Sequence, residues 1–230
     1  SELEIEERLA EVGAAQKKWR ATNFTQRKVC MYKLASELEH IKQHAVETMA
    51  YEMGKPWAEG LREISKCALL CRWFADSAES YLSTDHISTE YQRSYVQFEP
   101  LGCILAIMPW NFPFWQVVRC AVPAIMAGNG IILKHAPSTQ GCAEMIEQLF
   151  LDAGFPKGLL VHLKVENSRV KSLIADPQVS MITFTGSTEA GREVAKQAAE
   201  NLKPSVLELG GSDPYLVFED AESGVIAAKK

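Results

Sequence analysis

Gly102-Cys103-Ile104-Leu105-Ala106-Ile107 is an apolar run, and the loop Pro109-Trp110-Asn111-Phe112-Pro113 follows it closely. A short apolar run that ends at a turn is typical of a strand buried on both faces. A second such strand, Ser205-Val206-Leu207, leads into the turn Glu208-Leu209-Gly210-Gly211. Ligands of open α/β sheets bind outside the carboxyl ends of the strands, so the two loops are predicted to share one crevice.

Downstream of residue 101, strand patterns alternate with amphipathic helix patterns. This alternation predicts an α/β fold with a Rossmann-like, mostly parallel sheet that carries helices on both faces. Strands are expected near residues 103–107, 130–134, 159–164, 181–184, 205–208 and 215–218, and helices near residues 114–127, 139–153, 168–175, 188–201 and 221–230.

The N-terminal third of the chain is expected to be helical. Apolar residues recur at helical spacing from Leu3 to Trp19, and Thr25 is predicted to cap a second helical stretch that stops at Gly54-Lys55-Pro56. A third helix is expected from about Trp57 to Tyr81.

Between His86 and Glu99, polar and apolar residues alternate as they do in the strands of an exposed hairpin or arm. We therefore expect residues 82–100 to form an extended oligomerisation arm. The arm would divide one domain into residues 1–81 and residues 101–230.

Composition excludes several classes of partner and site. A net charge of −5 over 230 residues argues against nucleic acid and anionic membranes, and no apolar run is long enough to span a bilayer. The six cysteines form no CxxC pair, which predicts reduced thiols in a cytoplasmic protein. Cys67 and Cys71 lie one helical turn apart without a nearby histidine, so they are interpreted as core residues, and no metal site is predicted.

Four segments in order resemble the aldehyde dehydrogenase superfamily: Pro109 to Pro113, Ile131-Ile132-Leu133-Lys134, Phe184-Thr185-Gly186-Ser187 and Leu207 to Gly211. The resemblance covers nearly the whole chain. Lys134-His135-Ala136-Pro137 and the stretch from Leu207 to Asp213 look most like the bacterial NAD(P)-dependent succinate-semialdehyde dehydrogenases. The resemblance implies oxidation of an aldehyde, in particular succinate semialdehyde, to a carboxylic acid, with NAD or NADP as cofactor.

The resemblance also implies two catalytic residues. Asn111 would donate its amide N–H groups to an oxyanion, on a loop that two prolines restrict. Glu208 would activate water as a general base, and apolar Leu207 and Leu209 are expected to desolvate it partly. Considered alone, Asn111 would be interpreted as a turn cap and Glu208 as a solvated residue at a strand end.

The domain of residues 1–81 and 101–230 is then expected to bind the dinucleotide. Lys134 would bind the adenosine ribose, and the helix that opens at Gly186-Ser187 would receive the pyrophosphate, although alone this segment is only a helix cap. Pro137 stands where strictly NAD-dependent relatives often carry a glutamate, so NADP should be tolerated. The implied cofactor-binding residues are Met108, Pro109, Trp110, Lys134, Pro137, Ser138, Gly186, Ser187 and Leu209.

Arg119 carries the prediction of substrate class. It lies two helical turns beyond Asn111 among apolar residues, where a guanidinium needs an anionic partner. By resemblance this partner is the distal carboxylate of the substrate, which arginine can bind in bidentate fashion. A salt bridge to an acidic residue of the chain itself is the alternative.

None of the six cysteines matches the position of the superfamily's nucleophile. The resemblance places this cysteine downstream of Lys230, in a catalytic domain that the chain lacks, so the chain is expected to be about half of an enzyme that forms a thioacyl intermediate. Alone it should be inactive, and the full-length enzyme should be a homodimer or homotetramer. The alternative is a stand-alone, non-catalytic module that binds a nucleotide or another protein.

Overall fold

The computed structural model describes residues 2–214 and 216–222. Eight helices and seven strands occur within these residues. The helices are α1 (Glu2–Trp19), α2 (Phe24–His40), α3 (Lys42–Met53), α4 (Trp57–Tyr81), α5 (Trp115–Met126), α6 (Gln140–Asp152), α7 (Val170–Ala175) and α8 (Thr188–Glu200). The strands are β1 (Asp85–His86), β2 (Tyr95–Val96), β3 (Cys103–Ile107), β4 (Gly130–Lys134), β5 (Leu160–His162), β6 (Val179–Thr185) and β7 (Ser205–Glu208).

Five strands form one parallel sheet in the order β5-β4-β3-β6-β7. Alternate residues of β3 enter two different cores, as the two-residue period of a strand requires. Ile104 and Ala106 pack with residues of α2 to α6, whereas Leu105 and Ile107 pack with residues of α1, α7 and α8. The predicted α/β fold, with helices on both faces of a parallel sheet, is therefore confirmed.

Two predicted elements at the C-terminal end need correction. Residues 216–218 form no strand, and Tyr215 lies outside the described residues. Leu216, Val217 and Phe218 are exposed, and within the described part of the chain no strand edge pairs with them. An apolar run becomes a strand only where a neighbouring edge supplies hydrogen-bond partners. Of the helix expected at 221–230, residues 221 and 222 are not helical and the rest lie outside the described residues.

The N-terminal helices also differ in detail from the prediction. Asn23, not Thr25, caps α2, because its side chain accepts the N–H of Gln26 in a capping box. The stretch expected to continue to Gly54 divides at Ile41, which ends α2 and begins α3. This division lets α3 pack against both α4 and α6.

The arm exists as a short antiparallel hairpin. Asp85 pairs with Val96 and His86 with Tyr95, and all four residues are exposed. Its role in oligomerisation stays a prediction. None of the helices in residues 2–214 and 216–222 combines the length and the apolar character that a bilayer crossing requires.

Candidate active site

The order of the strands defines where a ligand would bind. The chain passes from β3 outward through β4 to β5, and then returns to the opposite side of β3 with β6 and β7. The carboxyl ends of β3 and β6 therefore flank the reversal point of a doubly wound sheet, where a crevice forms. The loop at residues 108–114 follows β3, Gly186 and Ser187 follow β6, and Glu208 ends β7 beside Thr185. The predicted loops thus lie at one edge of the sheet.

Asn111 lies exposed at this edge. Its side chain makes no hydrogen bond to the described residues, whereas its carbonyl oxygen accepts a hydrogen bond from Lys55 Nζ at 2.8 Å. Before it in the loop, Met108 is buried, Pro109 is half-buried, and Trp110 is exposed. The amide of Asn111 is accordingly accessible to a ligand while its main chain is held.

Two buried charges beneath this loop were missed in the sequence analysis. Lys55 and Glu63 form an ion pair, and Glu63 accepts the backbone N–H groups of Phe114 and Trp115. A signal was present, because Glu63 lies on the apolar face of α4 beside Ile64. An acidic residue on a buried helix face needs a partner.

Glu208 is more exposed than its apolar neighbours suggest. Its side chain retains 54% of its accessible surface, so Leu207 and Leu209 leave more than half of it in contact with solvent. Leu209 does not cover the carboxylate, because its side chain packs against α8, where a Cβ on Gly191 would collide with it. The carboxylate therefore remains in contact with solvent.

Arg119 joins Glu208 directly. Arg119 Nη1 lies 3.2 Å from Glu208 Oε1, and Nη2 donates to Thr185 Oγ1 at 3.4 Å. The Arg119 side chain is 34% exposed, so it is half-buried rather than enclosed among the apolar residues of α5. Glu208, an acidic residue of the chain itself, thus supplies the anionic partner of Arg119, which is the alternative to a substrate carboxylate. The guanidinium also contacts Thr185 and so lies on the crevice side of the sheet.

Lys134 lies at the end of β4, next to a pocket of about 410 Å³ between α8 and the segment that leads into α7. Its Nζ donates to Asn167 Oδ1 at 2.5 Å, and burial lowers the pKa of its ammonium group. Asn167 begins a 3₁₀ turn (Asn167–Arg169) and was not assigned a role from sequence. Pro137 and Ser138 are exposed in the turn after β4. The pocket is lined by apolar residues together with Asn167, Lys171 and Glu193, and Lys134 adjoins it through Asn167.

The N-terminus of α8 opens at the same edge. Ser187 accepts the N–H of Ala190 at 3.3 Å and so caps the helix. A Cβ on Gly186 would lie 2.5 Å from the Phe184 ring, and its N–H donates to the carbonyl of Glu208 at 3.1 Å. Glycine at position 186 is therefore required by packing, and the remaining free N–H groups of the first turn can receive an anion.

The sequence profile described as the Aldehyde dehydrogenase family matches residues 1–229. The chain belongs to the aldehyde dehydrogenase family. An NAD(P)+ succinate semialdehyde dehydrogenase of Escherichia coli (strain K12) is 42% identical over 219 residues, which are 95% of this chain and 47% of that protein. A probable NADP(+) succinate-semialdehyde dehydrogenase of Synechocystis sp. (strain ATCC 27184 / PCC 6803 / Kazusa) is 43% identical over 222 residues, or 96% of this chain and 49% of that protein.

Solved structures of the aldehyde dehydrogenase family have the same fold. The succinic semialdehyde dehydrogenase from Streptococcus pyogenes, solved in complex with NADP+, gives a TM-score of 0.90 at 31% identity and covers 99% of this chain and 50% of that protein. The succinate-semialdehyde dehydrogenase from Burkholderia pseudomallei gives a TM-score of 0.87 at 33% identity, and the match covers 96% of this chain and 48% of that protein. The chain therefore spans about half the length of the relatives it matches.

Aldehyde dehydrogenases need a nucleophile, and the structure describes all six cysteines of the chain. Burial raises the pKa of every one of these thiols, for Cys103 to about 11 and for Cys120 to about 12. Cys67 and Cys71 are fully buried in one core, as predicted. No group of three or more potential metal ligands occurs among the described residues. A thiolate nucleophile is thus not favoured at any of the six cysteines near neutral pH.

Proposed function

We propose that the protein containing this chain oxidises succinate semialdehyde to succinate, with NAD or NADP as cofactor. The observation that carries the proposal is Arg119, a half-buried cation that joins Glu208 and Thr185 at the carboxyl edge of the sheet. Cations placed beside a reaction site suit a substrate that bears a carboxylate. The succinate-semialdehyde dehydrogenases among the relatives support the same substrate.

The pocket beside Lys134 fits the adenosine half of a dinucleotide. Its volume of about 410 Å³ lies within the usual range for ligand pockets, and Lys134 and Asn167 offer polar groups to ribose hydroxyls. No acidic residue occupies position 137 or 138, so a 2′-phosphate meets no repulsion there. Trp110 and Leu209, both exposed at this edge, would complete the dinucleotide cleft. When bound, NAD(P)+ would supply the hydride acceptor.

Asn111 and Glu208 would serve two different steps. The free amide of Asn111 can donate to the oxyanion that forms when a nucleophile adds to the aldehyde carbon. Glu208 can take a proton from the water that hydrolyses the acyl intermediate, and its exposure gives water access to the carboxylate. The nucleophile is assigned to a cysteine outside residues 1–230, in keeping with the raised pKa values of the six thiols described.

The experiment that tests the substrate class is Arg119→Ala in the protein that contains this chain. KM should rise about thirty-fold or more for succinate semialdehyde relative to butanal, since a lost charged hydrogen-bond pair typically costs about 2–5 kcal/mol. Both substrates need Glu208, so a disturbance of Glu208 alone would affect them equally. Arg192→Ala, which changes an exposed arginine of α8, is the matched control. An equal rise in KM for both aldehydes would contradict a role of Arg119 in binding the substrate carboxylate.

We also propose that residues 82–100 form an oligomerisation arm of a cytoplasmic homo-oligomer. Tyr91, Tyr95 and Phe98 are exposed on the hairpin segment, where a second copy could cover them. Six free cysteines agree with a reducing compartment. Sedimentation of Tyr95→Glu/Phe98→Glu should give a smaller species than the unchanged protein, and an unchanged mass would contradict this role.

A further inference from the structure

The loop that carries Asn111 is held through its main chain by three buried side chains from elsewhere in the fold. Lys55 Nζ donates to the carbonyl of Asn111 at 2.8 Å. Glu63 Oε1 accepts the N–H groups of Phe114 and Trp115, each at 2.9 Å. His135 contacts the carbonyl of Pro113 at 2.9 Å through Nε2. Four backbone groups between Asn111 and Trp115 are thereby held in place.

Lys55 and Glu63 are a mutually dependent pair. Lys55 Nζ lies 2.8 Å from Glu63 Oε2, and the two side chains are 3% and 0% exposed. A single buried charge would be strongly unfavourable, so each residue requires the other. Such pairs add little net stability compared with apolar residues of similar volume, and their best-attested use is to specify one geometry. The Lys55 ammonium also lies over the ring of Phe112, 3.5 Å from its centre.

His135 connects the loop to the strand of the cofactor pocket. Nδ1 accepts the N–H of Ala136 at 2.8 Å, so Nε2 carries the proton and donates to the carbonyl of Pro113. The hydroxyl of Thr139 lies 2.7 Å from the same Nδ1. The imidazole is 1% exposed and follows Lys134 directly in sequence.

We propose that Lys55, Glu63 and His135 are positioning residues that hold residues 111–115 in the shape in which the Asn111 amide can act as an oxyanion donor. The inference rests on the proposed function, which gives Asn111 that role. An oxyanion donor is effective only when its geometry is fixed before the reaction. Because the Asn111 side chain makes no hydrogen bond to the described residues, its position depends on the main chain that these three residues hold.

The principal test is Lys55→Met/Glu63→Leu in the protein that contains this chain. The double change leaves no unpaired buried charge. We expect kcat for aldehyde oxidation to fall about 100-fold, because a displacement of about 1 Å at a catalytic group has an effect of that size. KM for the aldehyde should change little, and amide hydrogen exchange at residues 111–116 should accelerate. Unchanged kcat or unchanged exchange would overturn the proposal.

Glu52→Leu is the matched control. Glu52 accepts the N–H groups of Gly141 and Cys142 at the start of α6, as Glu63 does at the start of α5. Its loss should accelerate exchange at residues 140–143 and leave kcat within the range of the unchanged protein. A fall in kcat as large as that of the double variant would attribute the effect to general loosening and contradict the proposal.

Asn111→Ala separates a positioning role from a structural one. If the pair acts through Asn111, Lys55→Met/Glu63→Leu should reduce kcat little further in the Asn111→Ala background. If the fold losses in kcat caused by the two sets of changes multiply when they are combined, the proposal is contradicted. Absence of aldehyde oxidation in the unchanged protein would instead contradict the proposed function, and the exchange comparison would still decide whether the pair holds the loop.

His135 provides a second comparison should the double variant not fold. His135→Gln retains an N–H donor for the carbonyl of Pro113, whereas His135→Leu removes it. We expect kcat to fall for His135→Leu and to be largely restored for His135→Gln. Equal values for the two variants would overturn the role of His135.

Discussion

At the scale of single residues, the contact between Glu208 and Arg119 joins the proposed base to the proposed substrate ligand. Both side chains remain partly exposed, at 54% and 34%. An exposed ion pair of this kind contributes about 0–1 kcal/mol. A substrate carboxylate can therefore replace Glu208 at the guanidinium at little cost, and its arrival would release Glu208 for proton transfer.

Glu208→Gln should separate the two halves of the proposed reaction. The first turnover should still produce a burst of NAD(P)H, because hydride departure needs no base for water, while steady turnover should slow by about 100-fold or more. Stopped-flow absorbance at 340 nm measures both phases. Glu200→Gln, which changes an exposed carboxylate at the end of α8, should leave both phases intact. Loss of the burst together with turnover would show that Glu208 acts earlier.

At the scale of elements, α5 and α6 begin in the same unusual way. Neither helix has a capping side chain of its own, and each receives a carboxylate from another helix, Glu63 of α4 for α5 and Glu52 of α3 for α6. A carboxylate at a helix N-terminus satisfies free N–H groups and complements the helix dipole. The N-terminal helices are thus coupled to the two helices that follow β3 and β4.

Helix α2 allows the capping assignment to be tested. Asn23→Ala should lower the free energy of unfolding by about 1 kcal/mol, because it removes the acceptor for the Gln26 N–H. Thr25→Ala, at the position that the sequence suggested as the cap, should change it by less than about 0.5 kcal/mol. Chemical denaturation measures both free energies, provided that their dependence on denaturant concentration is the same in the variants and in the unchanged protein. A larger loss at Thr25 than at Asn23 would contradict the observed cap.

Strands buried on both faces could be predicted closely from sequence. The runs at 103–107 and 130–134 agree with β3 and β4, which are fully buried, because turns interrupt each run at both ends. The run at 205–208 agrees with the bounds of β7, but its expected burial on both faces is wrong, because Ser205, Val206 and Glu208 are exposed on a strand at the edge of the sheet. The strand expected at 159–164 is shorter, at Leu160–His162, and that expected at 181–184 is longer, at Val179–Thr185. Strand length depends on the neighbour with which each strand pairs. This information is not present in the local pattern.

The positions of Asn111, on the loop after β3, and of Glu208, at the end of β7, were predictable because each residue follows a strand pattern. Contacts between distant segments were not predictable, and the pair of Lys55 and Glu63 beneath residues 111–115 is the clearest example. The extent to which solvent reaches Glu208 could not be predicted from its apolar neighbours, because the direction of Leu209 depends on its packing against Gly191. The roles of the predicted site residues stay predictions until enzymatic tests are made.

At the scale of the whole molecule, His135 makes stability depend on pH. Burial lowers its pKa to about 4, with smaller contributions from His162 and Lys134 in the same direction and from the Pro113 carbonyl and Glu52 in the opposite one. The unfolded chain, with a histidine pKa of about 6.5, binds more protons between these values. Stability should therefore fall as pH decreases from about 6.5 towards 4, by up to about 1.4 kcal/mol per pH unit, and His135 contributes no slope above this window.

His135→Gln should flatten this acid limb in denaturation measured at several pH values. His44→Gln, at an exposed histidine of α3, should leave the limb unchanged. Burial also lowers the pKa of His162, so some slope should persist in the His135 variant. If the free energy of unfolding falls equally steeply at acid pH in the unchanged protein and in His135→Gln, this assignment is contradicted.

The hydrogen bonds that Lys55, Glu63 and His135 make with the loop after β3 all involve its main-chain atoms, and Lys55 also lies over the ring of Phe112. Backbone carbonyl and N–H groups are common to nearly all amino acids. The identities of the side chains at 110 and 111 are therefore uncoupled from the shape of the loop. Substitutions at these two positions should therefore change the chemistry that the loop presents while leaving its main-chain shape intact.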